Sequence, residues 1–156
     1  MRQEGIDDNR YNVAVIDIGS NTFHLLIVTY HSGSQSFEEI YRERKFVYLA
    51  KDGIAYLSEE TIARGLVAFK ELIEQCLQYG ISLHNIKAIG TAALRSAENA
   101  QSFIDRAILE CGVKIDVISG HREAELIYKG ILHSRIDMED LSLIIDIGGG
   151  LSLIHI

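Results

Sequence analysis

The stretch VAVIDIGSNT, residues 13–22, decides the fold that this sequence predicts. Its first half is apolar apart from Asp17, which is typical of a buried strand with a carboxylate near its end. Small and polar residues follow: Gly19, Ser20, Asn21 and Thr22. The N–H groups and hydroxyls of such a turn can wrap an anion, and phosphate is the obvious one. The alternative is an ordinary turn in which Asp17 caps a backbone group.

The tetrapeptide IDIG occurs twice, at residues 16–19 and 145–148. The second copy contains Asp146 and runs into three glycines, Gly148, Gly149 and Gly150. An acid beside a phosphate loop repels the phosphate, unless a divalent cation lies between them. Two copies in one chain therefore favour a metal and phosphate site over two unrelated turns.

Apolar periodicity extends the prediction along the chain. Strands are expected at Val13–Ile18, Phe23–Tyr30, Phe37–Leu49, Ile86–Ile89, Val113–Ile118 and Leu141–Ile147, and helices after Ser58, before Gly112 and at about His121–His133. The resulting order is β-β-β-α-β-α-β-α-β. This order predicts one α/β domain, with helices on both faces of a mixed sheet and active groups beyond the strand ends.

Composition excludes several classes of function. A chain of 156 residues with 47% hydrophobic content can bury a core, and its net charge of -7 disfavours nucleic acid as a partner. The polar start predicts no signal peptide, and no apolar run approaches the ~20 residues of a membrane span. Cys76 and Cys111 each lie among apolar residues at helical spacing. They predict two reduced thiols and a cytoplasmic protein.

Four blocks resemble the signatures of the exopolyphosphatase / guanosine pentaphosphate phosphatase family. They are residues 15–25 (VIDIGSNTFHL), 90–95 (GTAALR), 118–124 (ISGHREA) and 145–150 (IDIGGG). They occur in the family's order and at its spacing, and they cover residues 13 to 150. The resemblance implies an actin-like (ribonuclease H-like) ATPase domain over 13–150, preceded by a polar tail at 1–12.

The resemblance also implies the role of each site residue. Arg95 would contact the phosphate chain through its planar guanidinium, and Glu123 would be the general base that activates the attacking water. Asp17 and Asp146 would hold Mg²⁺. Phosphate-binding loops would be formed by Gly19, Ser20, Asn21 and Thr22 and by Gly148, Gly149 and Gly150. Without the resemblance, Glu123 is more simply interpreted as an acid in the first turn of a helix.

Other polar residues are interpreted as bystanders. His24, His121 and His133 share no ligand spacing with a carboxylate or cysteine. Lys45, Lys51 and Arg122 could form a basic track for a polyanion, but ordinary solvated charges are the preferred interpretation.

Two departures from the family pattern stand out. Arg122 replaces the first of two acids in the third block, while Glu123 keeps the second. After Gly150 the expected Ser-Thr-Glu is replaced by LSLIHI, residues 151–156. This hexapeptide equals the translation of a transposon-end sequencing adapter, so we expect a non-native tail. The full-length form is expected to continue into a second, carboxy-terminal domain that completes the active-site cleft.

The preferred function is therefore Mg²⁺-dependent hydrolysis of a terminal phosphoanhydride in inorganic polyphosphate or guanosine pentaphosphate. Two alternatives remain open: a non-catalytic module that binds polyphosphate or alarmones, and a sugar- or acetate-type kinase of the same superfamily. The presence of both Arg95 and Glu123 favours the phosphatase. A homodimer of the full-length form is compatible with the resemblance.

Overall fold

The computed structural model describes residues 10–133, 144–147 and 152–155. The strands are Arg10–Ile18 (β1), Thr22–His31 (β2), Ser36–Phe46 (β3), Ile86–Gly90 (β4), Ile115–Val117 (β5), Ile144–Ile147 (β6) and Ser152–His155 (β7). The helices are Glu59–Gln78 (α1), Ala92–Ser96 (α2), Ala100–Cys111 (α3) and Gly120–His133 (α4). The predicted order is confirmed, and α2, β7 and a 3₁₀ turn at Leu83–Asn85 are added to it.

The main sheet has five strands in the order β3-β2-β1-β4-β5. β1, β2 and β3 are antiparallel neighbours, while β4 and β5 run parallel to β1, so the predicted mixed sheet is confirmed. β6 pairs with β7 in a separate antiparallel sheet, which the sequence did not predict. The parallel strands β1, β4 and β5 therefore end at one common edge of the main sheet, where ligands bind in α/β folds.

One face of the main sheet, the inner face, carries the hydrophobic core. β1 turns Ala14, Ile16 and Ile18 into this core, where they meet α1 and α3. Phe103 of α3 packs edge-on against Phe23 of β2, with ring centroids 6.4 Å apart. α4 lies over the opposite, outer face, so the predicted helices on both faces are confirmed.

Apolar residues at helical spacing predict an inner stripe on α1 and on α3, and all but two of them contact the core. The predicted residues are Ile62, Leu66, Phe69, Ile73, Cys76 and Leu77 in α1 and Phe103, Ile104, Ala107, Ile108 and Cys111 in α3. Leu77 of α1 and Ile108 of α3 are exposed, although both were expected to face the core. Each directly follows a residue that is buried, Cys76 and Ala107 respectively. Neighbours on a helix point about 100° apart, and in the last turns of these two helices only the first residue of each pair faces the core.

Caps set several element boundaries. α1 begins after Ser58, whose hydroxyl accepts a hydrogen bond from Thr61 N–H at 3.3 Å, as the sequence predicted. α3 ends at Gly112, which adopts the left-handed conformation with φ 70°. β3 ends at Phe46 rather than at the predicted Leu49. The cause is Tyr48, whose φ of 54° breaks the extended conformation.

Both cysteines are free thiols, as predicted. Cys76 is fully buried in α1, and burial raises its pKa to about 11. Cys111 is partly exposed at the end of α3. Among the described residues, no helix has the length and hydropathy needed to cross a bilayer.

Candidate active site

Three strand ends are tied together at the edge of the main sheet. Thr91, directly after β4, donates from its N–H and from its hydroxyl to the Ile18 carbonyl at the end of β1, at 3.2 and 3.3 Å. Ile118, directly after β5, donates its N–H to the Gly90 carbonyl at 3.0 Å. The segments that follow β1, β4 and β5 therefore start from a fixed common platform.

The loop between β1 and β2 is a closed turn. Gly19 N–H donates to the Thr22 carbonyl at 3.0 Å. A Cβ atom at Gly19 would lie 2.9 Å from that same backbone oxygen, closer than real Cβ contacts. Glycine is therefore required for the close approach of the two chain segments, and it belongs to the loop that the sequence predicted to bind phosphate.

The segment that follows β3 holds the loop through hydrogen bonds to the carbonyl groups of the loop. Val47 and Tyr48 both donate N–H to the Asn21 carbonyl at 2.9 Å, and Ala50 donates to the Ser20 carbonyl at 3.1 Å. Within the described residues, the N–H groups of Ser20 and Asn21 donate to no backbone carbonyl. The loop is thus fixed through its acceptors, while these two donors remain available to an anion.

Asp17 lies on the outer face of the sheet, one residue before the end of β1, and is exposed. Its cross-strand neighbours are His24 on β2 and Ile89 on β4. Its carboxylate lines the space between the sheet and α4. The predicted acid is therefore beside the loop and on the face that α4 covers.

Arg95 is positioned by the short helix α2. The three residues before it, Ala92, Ala93 and Leu94, are buried and anchor the helix. Gly90 allows this packing, because a Cβ atom there would come within 2.8 Å of Leu94 Cδ1. The sequence did not predict α2, since five residues are too few to show a helical period.

Arg95 and Glu123 form an ion pair. Arg95 Nη1 donates to Glu123 Oε2 at 3.0 Å and to the Ile118 carbonyl at 2.9 Å. Only 24% of the Arg95 side chain and 17% of the Glu123 side chain are exposed, so water screens this pair less than a surface pair. The two predicted catalytic residues, 28 positions apart, are brought into direct contact.

Glu123 is fixed by the start of α4. Ser119 acts as the helix cap: its hydroxyl accepts from Arg122 N–H at 3.2 Å, and its carbonyl accepts from Glu123 N–H at 2.9 Å. Since the first turn of a helix favours negative charge, an acid is suited to this position. Cap and dipole together hold the carboxylate at the strand-end edge.

Asp17, Thr91 and Glu123 line one cavity of about 560 Å³ between the sheet and α4. The other lining residues are apolar: Val15, Ile89, Ile118, Leu126 and Ile127. Convergence of a few polar groups on an otherwise apolar cavity is typical of a ligand site. The described residues include no group of three or more acids, histidines or cysteines arranged to hold a metal ion.

The side chain of Asp146 and the glycines Gly148, Gly149 and Gly150 lie outside the described residues. Their predicted roles stay predictions. The backbone of Asp146 is part of β6, at the strand position that the repeat predicted.

Two of the three basic residues considered for a polyanion track are paired with acids. Lys45 lies 3.1 Å from Glu43 and 2.7 Å from Glu71, and Arg122 lies 2.6 Å from Glu125. These pairings disfavour a basic track at Lys45 and Arg122.

His24, interpreted as a bystander from the sequence, borders the site. Its Nε2 lies 2.8 Å from the Thr22 hydroxyl, and it is the cross-strand neighbour of Asp17. Burial, reinforced by Arg44 and Arg42, lowers its pKa below the ordinary value. The short turn between two strands pairs residue 17 with residue 24, and this pairing could have placed His24 beside Asp17 from the sequence.

Comparison with known proteins now defines the family. The model of the Ppx/GppA phosphatase family matches residues 26–156, well over half of the chain. The chain belongs to the Ppx/GppA phosphatase family. Among family relatives, the guanosine-5'-triphosphate,3'-diphosphate pyrophosphatase of Photobacterium profundum is 39% identical over 140 residues, covering 87% of this chain and 27% of that protein.

Solved structures of Ppx/GppA proteins match in fold. An exopolyphosphatase from Cytophaga hutchinsonii aligns with TM-score 0.82 and 37% identity over 89% of this chain and 44% of that one. The Aquifex aeolicus PPX-GPPA enzyme aligns with TM-score 0.78 and 27% identity over 92% and 47%. The predicted actin-like, ribonuclease H-like α/β fold is thus confirmed. The chain spans less than half the length of these relatives.

Proposed function

We propose that the protein containing this chain hydrolyses terminal phosphoanhydride bonds, in inorganic polyphosphate, guanosine pentaphosphate or both. The observation that carries the proposal is the 3.0 Å contact between Arg95 and Glu123 beside Asp17 and the Gly19–Thr22 loop. A phosphate-binding cation, a carboxylate base and an amide-rich loop at one edge are the parts that such a hydrolysis needs.

The loop and Arg95 bind the phosphates. Hydrogen bonds to the carbonyl groups of Ser20 and Asn21 hold the loop in place. The N–H groups of the same two residues donate to phosphate oxygens. Within the described residues, Arg95 uses only Nη1 for hydrogen bonds, which leaves Nε and Nη2 to donate to the phosphate chain. A planar guanidinium can do so with two parallel hydrogen bonds.

Glu123 accepts the proton of the attacking water. As the water oxygen bonds to the terminal phosphorus, the bond from phosphorus to the bridging oxygen breaks. The shortened chain leaves with the bridging oxygen, and the terminal phosphoryl group becomes inorganic phosphate. Arg95 holds the Glu123 carboxylate in one orientation, so the base does not have to reorganise during the reaction. Its place in a largely apolar cavity limits competing contacts with bulk water.

The residues also suit Mg²⁺. This ion is usually held by one or two carboxylates together with waters and substrate phosphates, so a dense cluster of protein ligands is not required. Asp17, exposed beside the phosphate loop, matches this donor set, and Asp146 is the proposed second carboxylate. When bound there, the ion neutralises part of the negative charge on the phosphate oxygens.

The proposal includes the domain organisation of the full-length form. Residues 13–150 form one wall of a cleft, 151–156 are a non-native tail, and a second domain supplies the other wall. The 156-residue chain by itself should therefore release phosphate far more slowly than about 1 s⁻¹, an ordinary enzymatic rate. A cytoplasmic location accords with the two free thiols.

The test uses the full-length form, meaning this chain continued from Gly150 by the second half that its relatives contain. Phosphate release from polyphosphate and from guanosine pentaphosphate is measured with Mg²⁺, and Arg95→Ala is compared with Arg106→Ala, a change at an ion-paired arginine of α3. Arg95→Ala should raise KM and lower kcat, because the guanidinium contacts both substrate and transition state. Arg106→Ala should change neither by more than about twofold.

Binding of either substrate without turnover would contradict the proposal and support a binding module. Equal kinetics for Arg95→Ala and Arg106→Ala would remove Arg95 from the site.

A further inference from the structure

Two exposed aromatic rings lie at the end of β3, where this strand pairs with the start of β2 beside the phosphate loop. Phe46, the last residue of β3, is 60% exposed, and Tyr48 is 48% exposed. Their rings are stacked, with centroids 5.9 Å apart and an interplanar angle of 25°. Two stacked rings facing solvent present a π surface to a ligand.

The backbone at Tyr48 is constrained to present this surface. Its φ of 54° lies in the left-handed region, which a bulky residue rarely adopts. Tyr48 N–H donates to the Asn21 carbonyl at 2.9 Å, and its own carbonyl accepts from Arg64 Nη2 at 3.1 Å. A strained conformation held on both sides points to a function for the side chain.

Arg44 adds a cation to the stack. Its guanidinium lies over the Phe46 ring, 4.9 Å from the centroid. Neighbouring cations on β3 are paired with acids, Arg42 with Glu39 and Lys45 with Glu43. Arg44 makes no ion pair within the described residues, so its charge is available to a ligand that reaches the rings.

The stack adjoins the phosphate loop. Phe46 is the cross-strand partner of Thr22, and such partners have Cα atoms about 4.5–5.5 Å apart. The Asn21 carbonyl accepts hydrogen bonds from the N–H groups of the two residues that follow Phe46, Val47 and Tyr48. A ligand whose phosphates lie on the Ser20 and Asn21 amides would extend from there onto the rings.

We propose that Phe46, Tyr48 and Arg44 form a stacking platform for the purine base of a nucleoside 5'-triphosphate whose phosphates occupy the Gly19–Thr22 loop. The inference rests on the proposed function and specifies its substrate class: the platform gives a guanosine polyphosphate an affinity that inorganic polyphosphate lacks. A phosphate chain has no π face and gains nothing from the rings, whereas a purine stacks on them.

The test compares two ligands that share a triphosphate. GTP and inorganic tripolyphosphate, each with Mg²⁺, are titrated into the 156-residue chain, and Kd is obtained from NMR shifts of the Ser20 and Asn21 amides. We expect GTP to bind about tenfold more tightly, the scale of one base stacked on aromatic rings. Phe46→Leu, which keeps an apolar side chain but removes the ring, should abolish most of that advantage and leave tripolyphosphate binding unchanged.

Two further variants make the test specific. Phe37→Leu removes a ring of similar exposure, 52%, at the opposite end of the same strand. It should leave the Kd of both ligands unchanged. Tyr48→Asn removes the second ring and introduces a residue that tolerates the left-handed conformation, so the chain should stay folded. It should weaken the binding of GTP and leave the binding of tripolyphosphate unchanged.

The outcomes separate the two proposals. If neither ligand shifts the loop amides, the phosphate-binding loop of the proposed function fails and the platform fails with it. If both ligands bind with the same Kd, or if Phe46→Leu and Phe37→Leu weaken GTP equally, the platform is overturned while the proposed hydrolysis stands.

Discussion

The two faces of the main sheet differ in what they are built for. On the inner face, Ile16 and Phe103 are completely buried between the sheet, α1 and α3. On the outer face, the alternate residues Val15 and Asp17 line a cavity beneath α4 that also receives Glu123. The same strand thus supplies alternating side chains to a filled core and to an open site. Residues that stabilise the fold and residues that line the site therefore alternate along β1.

The sharpest test of this separation is a matched pair of truncations. Phe103→Ala empties a fully buried ring position on the inner face and should cost about 3–5 kcal/mol of unfolding free energy. Ile89→Ala on the outer face, already partly exposed, should cost less than about 1.5 kcal/mol. Urea denaturation measures both. Equal losses would mean that the outer face is as tightly packed as the core.

The loop allows a test by glycine substitution. Gly19→Ala should destabilise the chain by about 1–3 kcal/mol, because the new Cβ would meet the Thr22 carbonyl at 2.9 Å. Gly130→Ala on α4, where a Cβ would meet nothing within 4 Å, should stabilise by about 0.5–1 kcal/mol. Thermal melts of the two variants should therefore shift in opposite directions. A tolerated Gly19→Ala would show that the turn is not closed as described.

Thiol labelling offers a smaller contrast at the edge of the core. Burial raises the pKa of Cys76 to about 11, so only about one thiol in a thousand is ionised at pH 8. The pKa of Cys111 is also raised, chiefly by burial, but its side chain is partly exposed. Cys111 should react with a thiol reagent at least about tenfold faster. Prompt modification of native Cys111→Ser protein would contradict the closed packing around Cys76.

The smallest expected effect concerns His24 on the outer face. Burial first, then Arg44 and Arg42, lowers its pKa in the folded protein below 6.5. The unfolded chain therefore binds the proton more readily, and the contribution of neutral His24 to stability is present above about pH 6.5 and lost as pH falls. Arg44→Gln should move the NMR titration midpoint of His24 upward. A downward shift would reverse the assigned cause.

The sequence was sufficient for local features and insufficient for contacts between distant segments. The strand at residues 13–18, the Ser58 cap and the Gly112 helix end each depend on neighbours within a few positions, and all three were predicted. The Arg95–Glu123 contact depends on the parallel pairing of β1, β4 and β5, which no local pattern encodes. The resemblance named both residues, but only the fold brings them together.

The aromatic stack was missed for a related reason. Phe46 and Tyr48 alternate as strand residues do, so the sequence predicted a strand continuing to Leu49. The hydrogen bonds from Val47 and Tyr48 to Asn21, a residue far away in the chain, divert the backbone instead. Tertiary hydrogen bonding here overrides a local preference for extended structure.

The central claim is that Glu123 accepts the proton of the attacking water, and one pair of variants in the full-length form tests it directly. Glu123→Gln keeps the shape of the side chain but cannot accept that proton, so kcat for phosphate release should fall about a hundredfold or more while KM stays nearly constant. Glu125→Gln is the control, because Glu125 lies on the same helix and is paired with Lys129 and Arg122 at the surface. It should leave kcat within about twofold. Full turnover by Glu123→Gln, or equal kcat for the two variants, would contradict the account.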